Sequence, residues 1–371
     1  MYREDFPLID EITYLDSACM SLRPEKVIQK VEQYYREYPG CSGRSAHSIS
    51  EKTSKELEEA RRKTASFIDA SPEELMFTSG TTEAINTVAQ GLEFDRVFVT
   101  DRAHNSNRAV FQELGKEIVN MEGLDVELLK SELGEGDLLS ILHVSNLDGK
   151  VFDIKKACRI ADEQGAYSMI DAAQSIPHRP FSVKEVGADF VAFSGHKMLG
   201  PSGTGGLYAS ENVQDDLSPL KYGGGAISDA TVHDNDRKKF PEGFEPGLQN
   251  LAGFTGLGAA VEYLEKIGME KVQRHEKELT ERLLEGLEDL EVDVYCEGTG
   301  IVSISMDSMS HGELAHFLDR RDIKVRSGQH CVHPWFKNKD VDGTVRASLH
   351  LYNSCEDIDR FVEEVKKASI L

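Results

Sequence analysis

No apolar run in the chain approaches the ~18 residues that a membrane helix needs. The opening Met1-Tyr2-Arg3-Glu4-Asp5 is acidic, not basic and then apolar. Neither a membrane span nor a secretion signal is expected, and a cytoplasmic location is the default. Six cysteines (Cys19, Cys41, Cys158, Cys296, Cys331, Cys355) are scattered without a Cys-x-x-Cys pair. That spacing argues for free thiols and against a disulfide framework or a zinc site. His330-Cys331-Val332-His333 has a metal-like look, but no partner cluster completes a ligand set, and no metal is expected. The chain also lacks both Gly-x-x-x-x-Gly-Lys-[Ser/Thr] and Gly-x-Gly-x-x-Gly, which removes support for a P-loop ATPase or a dinucleotide fold. Basic charge is scarce: 42 Lys and Arg face 65 Asp and Glu, a net of −23. Such a field repels nucleic acid and anionic membranes. The acids are spread along the chain, so a disordered acidic tail is excluded. A merely acidic protein and one from a salt-adapted cell both remain open.

What is present suits a large α/β protein. A length of 371 residues suggests two domains. Apolar runs alternate with helical patterns, the mark of a mostly parallel sheet covered by helices. Strands are predicted at Glu74–Phe77, Arg96–Val99, Leu138–Val144, Tyr167–Ile170, Phe190–Phe193 and Gly205–Tyr208, with helices such as Ser54–Phe67, Thr82–Gln90 and Ile154–Gln164 between them. From about Asn250 the texture changes: helices at Leu251–Ile267 and Val272–Leu290, strands at Val292–Cys296 and Ile301–Met306, and a last helix at Cys355–Lys367. The expected division is a large domain over residues 15–250 and a smaller α+β domain from residues 1–14 and 251–371. Tyr222-Gly223-Gly224-Gly225 and the polar run Asp229–Lys239 read as a mobile surface excursion.

The most informative stretch is Phe193-Ser194-Gly195-His196-Lys197-Met198-Leu199-Gly200-Pro201. It delivers a lysine from the end of a buried strand, where open α/β sheets bind ligands. Such a lysine can form a Schiff base with a carbonyl cofactor, while Ser194 and His196 reach a phosphate. A lone surface lysine is the ordinary alternative. Thr78-Ser79-Gly80-Thr81-Thr82-Glu83 follows a strand and opens a helix, either as an anion cradle or as a plain N-cap. Ser168-Met169-Ile170-Asp171-Ala172-Ala173-Gln174 sets a carboxylate at a strand end, near Lys197, where it needs a positive partner. Asp101-Arg102-Ala103-His104-Asn105 puts an imidazole after another strand, able to stack on a planar ring.

In this order the motifs resemble the aminotransferase class V group of fold-type I pyridoxal-phosphate enzymes. Val325-Arg326-Ser327-Gly328-Gln329-His330-Cys331 is similar to the Arg-[Thr/Ser]-Gly-x-His-Cys motif of SufS-like group II cysteine desulfurases and selenocysteine lyases. Val345-Arg346-Ala347-Ser348-Leu349 with Tyr352-Asn353, Tyr14-Leu15-Asp16-Ser17-Ala18 and Arg44-Ser45-Ala46-His47 also match. The resemblance covers essentially the whole chain. It implies that Lys197 forms the Schiff base with pyridoxal 5'-phosphate and moves protons. Asp171 pairs with the pyridine nitrogen, Gln174 bonds the ring hydroxyl, and His104 stacks on the ring. Thr81, Thr82, Ser194 and His196 hold the phosphate. Asn146 lies near the substrate, Arg346 grips its carboxylate with Arg326 nearby, and Cys331 is the nucleophile, helped by positive charge on Arg326 and His330. The implied reaction takes L-cysteine to L-alanine through a persulfide on Cys331. The sulfur then passes to an acceptor protein of the Suf type or a cluster scaffold for iron–sulfur assembly. A homodimer is expected. Selenocysteine lyase, or another class V activity such as an aminotransferase or racemase, is the alternative.

Three positions depart from the family pattern. Gly247-Leu248-Gln249-Asn250 stands where Gly-Thr-x-Asn is usual, and that threonine normally reaches the phosphate across a dimer interface. Leu248 cannot make that contact. Gly43 and Gln329 stand where the family commonly has histidines. The short interval from Cys331 to Arg346 favours the group with a compact catalytic loop.

Overall fold

The computed structural model describes residues 2–370; Met1 and Leu371, the outermost residues of the expected smaller domain, lie outside it. In chain order, β1 (Thr13–Tyr14) leads to α1 (Glu25–Glu37) and α2 (Ser48–Phe67), then β2 (Leu75–Thr78), α3 (Thr81–Gly91), β3 (Arg96–Thr100) and β4 (Glu117–Met121). β5 (Leu138–Leu142), β6 (Tyr167–Asp171), β7 (Phe190–Ser194) and β8 (Gly205–Ala209) complete a seven-stranded sheet in the order β2-β8-β7-β6-β5-β3-β4. β8 runs antiparallel to both neighbours and the remaining pairs are parallel. The expected mostly parallel α/β sheet is therefore present.

Strands such as Leu138-Leu139-Ser140-Ile141-Leu142 and Phe190-Val191-Ala192-Phe193-Ser194 are buried along their whole length. That is the pattern of a sheet covered on both faces. The two-residue period of a strand sends neighbours to opposite layers. Ile170, Val191 and Phe193 enter one core, while Met169, Phe190 and Ala192 enter the other. The first strand residues were legible because burial on both sides demands uninterrupted apolar runs. β4 was not predicted: Glu117-Ile118-Val119-Asn120-Met121 is a half-exposed edge strand with polar residues. α2 begins at Ser48, earlier than the predicted Ser54, because His47 caps it by accepting the Ser50 N–H through Nδ1.

After the sheet, β9 (Ile227–Ala230) and β10 (Asn235–Arg237) pair antiparallel. The predicted surface excursion is thus a structured hairpin with an exposed backbone ladder. A second, antiparallel sheet follows from β11 (Asp293–Tyr295), β12 (Ile301–Ser305), β14 (Arg326–Gly328) and β15 (Thr344–Ser348), in the order β11-β12-β15-β14. β13 (Ile323–Lys324) pairs in parallel with β1, so the amino-terminal segment is tied to this later unit. Helix Leu251–Ile267 belongs elsewhere. It packs on α1 and α2, shares the core of the large sheet, and stacks Phe254 on Phe77 at 4.3 Å and 7°. Gly258 lets it approach Ala60, where a Cβ would lie 2.9 Å from that residue's backbone. The apolar composition that set this helix apart in the sequence comes from burial within the large layer. Met269 and Val272 of the following helix reach the same core. Among the described residues no helix is long and apolar enough to cross a membrane.

The edge of β2 is closed by an ion pair. Glu245 accepts from Arg61 Nη1 at 2.8 Å, Arg61 Nη2 at 2.6 Å and the Phe77 N–H at 2.6 Å, while Arg61 also donates to the Leu75 carbonyl. Both side chains are nearly buried, at 14% and 7% exposure. An open strand edge would otherwise offer unpaired backbone groups. Removing one partner of a buried pair strands the other charge and costs about 3–5 kcal/mol. Glu245→Ala should therefore lower the denaturation midpoint markedly, and the double variant Glu245→Gln/Arg61→Met should recover much of the loss. A midpoint unchanged in Glu245→Ala would show that the pair contributes nothing.

Candidate functional site

The carboxyl ends of β6 and β7 open into a cavity of about 220 Å³. Its wall gathers eleven of the twelve expected site residues: Thr81, Thr82, His104, Asn146, Asp171, Gln174, Ser194, His196, Lys197, Arg326 and Arg346. Cys331 is not part of the wall. It is joined to the cavity through Arg326, whose Nη2 lies 3.5 Å from its Sγ. A larger cleft of about 440 Å³ between α1, α2 and helix Leu251–Ile267 is lined by paired Lys and Glu side chains and collects no reactive set.

Parallel strands β6 and β7 are adjacent, with Asp171 paired to Ala192. One strand ends in Asp171, and the other passes through Ser194 into the turn Gly195–Lys197. Burial pushes the Asp171 carboxyl up and the Lys197 ammonium down, and each draws the other back toward its charged form. Asp171 also accepts the Ala173 N–H at 3.1 Å. Lys197 is pushed further down by Arg346 and Arg326.

Gly80 has φ of +145°, a conformation that L side chains rarely adopt, and a Cβ there would lie 3.2 Å from Ser194 Oγ. The chain turns at that glycine to start α3 against Ser194. Ser194 Oγ accepts the Thr81 N–H at 2.9 Å and lies 2.8 Å from Thr81 Oγ1. Thr82 Oγ1 lies 2.8 Å from Ser106 Oγ. Free N–H groups of a helix start, ringed by hydroxyls, suit a phosphate. Ser106 was missed in the sequence, where nothing but its place two residues after His104 marked it.

His104 Nδ1 accepts the Ser106 N–H at 3.1 Å. Burial, with Lys197, Arg326 and Arg346 adding to it, lowers its pKa to about 3, so the ring is neutral. His196 is likewise lowered to about 4, mainly by burial. It can offer a phosphate a hydrogen bond but not a full charge. Gln174 donates to the Ala18 carbonyl at 2.7 Å and leaves its own Oε1 buried without a partner. Asn146 Oδ1 and Arg346 Nε are unpartnered as well. These orphaned groups, two amide oxygens and one guanidinium N–H in the wall of one cavity, fit a planar polar cofactor with an anionic substrate.

The second sheet supplies the arginines. Arg326 and Arg346 sit directly opposite each other on β14 and β15. Like charges opposite each other destabilise a sheet, so the pair calls for anions between them. Arg346 is 1% exposed and donates to the Asn146 carbonyl at 2.9 Å and to Asp16 Oδ1 at 3.2 Å. Arg326 donates to Cys19 Sγ at 3.1 Å and to Cys331 Sγ. His330 does not supply the positive charge expected of it. It is buried, its Nε2 meets Thr344 Oγ1 at 2.8 Å, and burial beside Arg346 and Arg326 lowers its pKa to about 2. Its backbone matters instead: the His330 carbonyl accepts from Asn146 Nδ2 at 2.7 Å and the Cys331 carbonyl from the Asn105 N–H at 2.8 Å. Both residues have positive φ, +47° and +62°, which holds the loop in a sharp turn over the cavity. Arg44 donates to the carbonyls of Gly224 and Gly247, tying the glycine-rich loop to the segment that bears Leu248, which is 68% exposed.

The sequence also gave no hint of the cluster His178, Glu276 and His350, whose ligand atoms lie within 4.8 Å of one another. His178 Nδ1 meets Glu276 Oε1 at 2.8 Å. Burial raises the Glu276 pKa to about 8 and lowers both histidines to about 3.

Residues 13–361 match the family described as aminotransferase class-V. A probable cysteine desulfurase of Methanothermobacter thermautotrophicus is 38% identical over 98% of this chain and 96% of its own. A cysteine desulfurase of Haloferax volcanii is 35% identical over 96% and 89%. Among solved structures, the apo cysteine desulfurase of Thermococcus onnurineus superimposes with a TM-score of 0.96 at 35% identity, covering 100% of this chain and 97% of that one. The cysteine desulfurase CsdA of Escherichia coli gives 0.92 at 30%, over 99% and 97%.

The His178–Glu276–His350 cluster gives a signed pH dependence. The histidines, lowered in the folded state, make stability rise with pH only up to their unfolded value near 6.5 and contribute nothing further above it. Glu276, raised in the folded state, contributes stability that is complete below its unfolded value and is lost as pH rises to about 8. Between pH 6.5 and 8 only the glutamate acts, and the loss is on the order of 2 kcal/mol. Glu276→Gln should flatten the fall in thermal midpoint over that interval relative to the unaltered protein. Parallel pH profiles for the two would show that Glu276 is already ionised in the folded state.

Proposed function

The chain belongs to the aminotransferase class-V family, and from that footing we propose that it is a pyridoxal 5'-phosphate-dependent cysteine desulfurase. The observation that carries the reading is the convergence on one cavity of Lys197 and Asp171 with the Arg326–Arg346 pair and, through Arg326, the Cys331 thiol. When bound, the cofactor supplies an electron sink conjugated to the substrate amine. Asp171 would hold a proton on the pyridine nitrogen, and Gln174 Oε1 would accept from the ring hydroxyl. Neutral His104 would pack against the ring. The α3 start, with Thr81, Thr82, Ser194 and His196, would hold the phosphate.

Arg346 turns its fork from Asp16 and the Asn146 carbonyl to the carboxylate of L-cysteine, a bidentate charge-assisted contact, with Asn146 beside it. Lys197, its ammonium depressed by burial, is suited to take the Cα proton and return one to Cβ. The Cys331 thiolate, steadied by Arg326, attacks the substrate sulfur. The bond from that sulfur to Cβ breaks, alanine leaves, and Cys331 keeps the sulfur as a persulfide.

Further parts of the reading rest on the likeness to the SufS-like group. They are sulfur delivery to a Suf-type acceptor or cluster scaffold for iron–sulfur assembly, a cytoplasmic location, and a homodimer. Exposed Tyr222, Val232 and Leu248 on the segment tied together by Arg44 support a partner subunit seated there. The test of the function is whether the protein with cofactor releases alanine and sulfide in equal amounts from cysteine. Selenide release in preference to sulfide from competing substrates would make it a selenocysteine lyase.

Borohydride treatment of the yellow protein should fix the cofactor on a peptide containing Lys197. Label on Lys221 or another lysine would overturn the assignment. Cys331→Ala should keep the colour and the spectral response to cysteine while losing persulfide formation. Arg346→Ala should weaken substrate binding by about 2–4 kcal/mol. Full desulfurase turnover in Cys331→Ala would point to an aminotransferase-like or lyase reaction.

The excess of 23 negative charges opposes association of two copies, and Leu248 offers no hydroxyl to a phosphate across their interface. Added salt shortens the screening length from ~10 Å at 0.1 M to ~3 Å at 1 M. Dimer stability and cofactor occupancy should both rise with salt, as read by sedimentation and cofactor absorbance. A stable, fully loaded dimer in dilute buffer would show that the acidity has no such consequence.

A further inference from the structure

Cys331 is not the only thiol that reaches this cavity. Cys19 forms part of its wall, whereas Cys331 stands at the rim. The Cys19 loop is fixed from three sides. The Cys19 N–H donates to the Asp16 carbonyl at 3.1 Å, the Ala18 N–H to Ser348 Oγ at 2.9 Å, and Gln174 to the Ala18 carbonyl. A single guanidinium joins the two thiols: Arg326 Nη1 donates to Cys19 Sγ at 3.1 Å and Nη2 to Cys331 Sγ at 3.5 Å. The planar fork is rigid, so the two sulfurs converge on adjacent nitrogens of one cation. Negative charge on Cys19 would also favour the charged forms of Lys197 and Arg346.

We infer that Cys19 is a second sulfur-accepting thiol, which takes the sulfane sulfur from Cys331 across the Arg326 fork. The inference rests on the persulfide reading above. Cys19, as thiolate, attacks the outer sulfur of the Cys331 persulfide. A sulfur–sulfur bond forms at Cys19, the one at Cys331 breaks, and Cys331 leaves as a thiolate. One thiolate and one persulfide anion enter and leave, so no oxidant, reductant or proton is consumed. Both charge states face a donor of Arg326 throughout. Cys331 is then free for another turnover while the first sulfur waits on Cys19, and the site stores two sulfurs before an acceptor arrives.

The experiment gives cofactor-loaded protein a few equivalents of cysteine per subunit, with no acceptor and no thiol besides the substrate, and stops the reaction at the end of the burst. Alanine is then counted in the burst, and sulfur is located by alkylation and peptide mass spectrometry. The unaltered protein should carry sulfane sulfur on Cys19 as well as Cys331 and release about twice the alanine per subunit of Cys19→Ser, whose sulfur should sit on Cys331 alone. Cys331→Ala should carry none on Cys19. Sulfur confined to Cys331 in the unaltered protein, with equal bursts, overturns the relay and leaves the desulfurase reading standing. Sulfur on Cys19 in Cys331→Ala overturns the order of transfer, since Cys19 would then attack the substrate itself. A Cys19–Cys331 disulfide with free sulfide overturns it too, because the inner sulfur would have been attacked. An unloaded Cys331 in Cys19→Ser refutes the persulfide reading on which the inference stands.

Discussion

Asp171 and Lys197 stand at the ends of neighbouring strands, where burial pushes the carboxyl up and the ammonium down and each draws the other back toward its charged form. Desolvation disfavours each charged form, and the other's presence opposes it most. This mutual dependence makes the site sensitive to its supports. The parallel register of β6 and β7 brings the two together, and the apolar layers on both faces of the sheet remove the water. The same dry setting keeps His104 and His196 neutral, so they can pack or donate without adding to the positive charge already present.

A second constraint comes from the antiparallel sheet. Arg326 and Arg346 face each other across β14 and β15, with Asp16 near one and two thiols on the other. Two guanidinium groups on directly opposed residues form an anion trap. Carboxylate and thiolate, the two anionic groups that cysteine chemistry presents, are what such a trap favours. The amino-terminal strand closes it by pairing β1 with β13 and carrying Asp16 and Cys19 to the arginines. Residues more than 300 positions apart in the chain therefore share one charge balance.

Much of this was legible in advance once the motifs were read in order, although each alone had an ordinary alternative. A lysine straight after a fully apolar strand, and a carboxylate after another, mark the sheet's ligand edge without any knowledge of packing. Other features were hidden for definite reasons. β4 is half exposed, so its apolar pattern is broken. The run Asp229–Lys239 is polar because its hairpin is solvated on all sides, and polarity alone cannot separate a hairpin from a loop. Helix Leu251–Ile267 follows the change of texture near Asn250, and local pattern does not show that α1, α2 and the large sheet bury it. His330 seemed a source of positive charge from its place beside Cys331. Its side chain turns to Thr344, and burial disfavours the second proton that would make it a cation.

The sequence by itself determined where the main apolar strands lie and the order in which the lysine, aspartate, arginines and cysteine occur; the cofactor and reaction class came from the family resemblance that this order carries. The first two follow from local pattern and residue chemistry, which are written one position at a time. The tertiary structure alone decided which groups share a field: that Arg326 bridges Cys19 and Cys331, that Arg346 rests on Asp16, and that Glu276 lies between two histidines. Protonation and pairing depend on burial and on distances between residues far apart in the chain, and neither quantity exists until the two sheets have closed over the cavity.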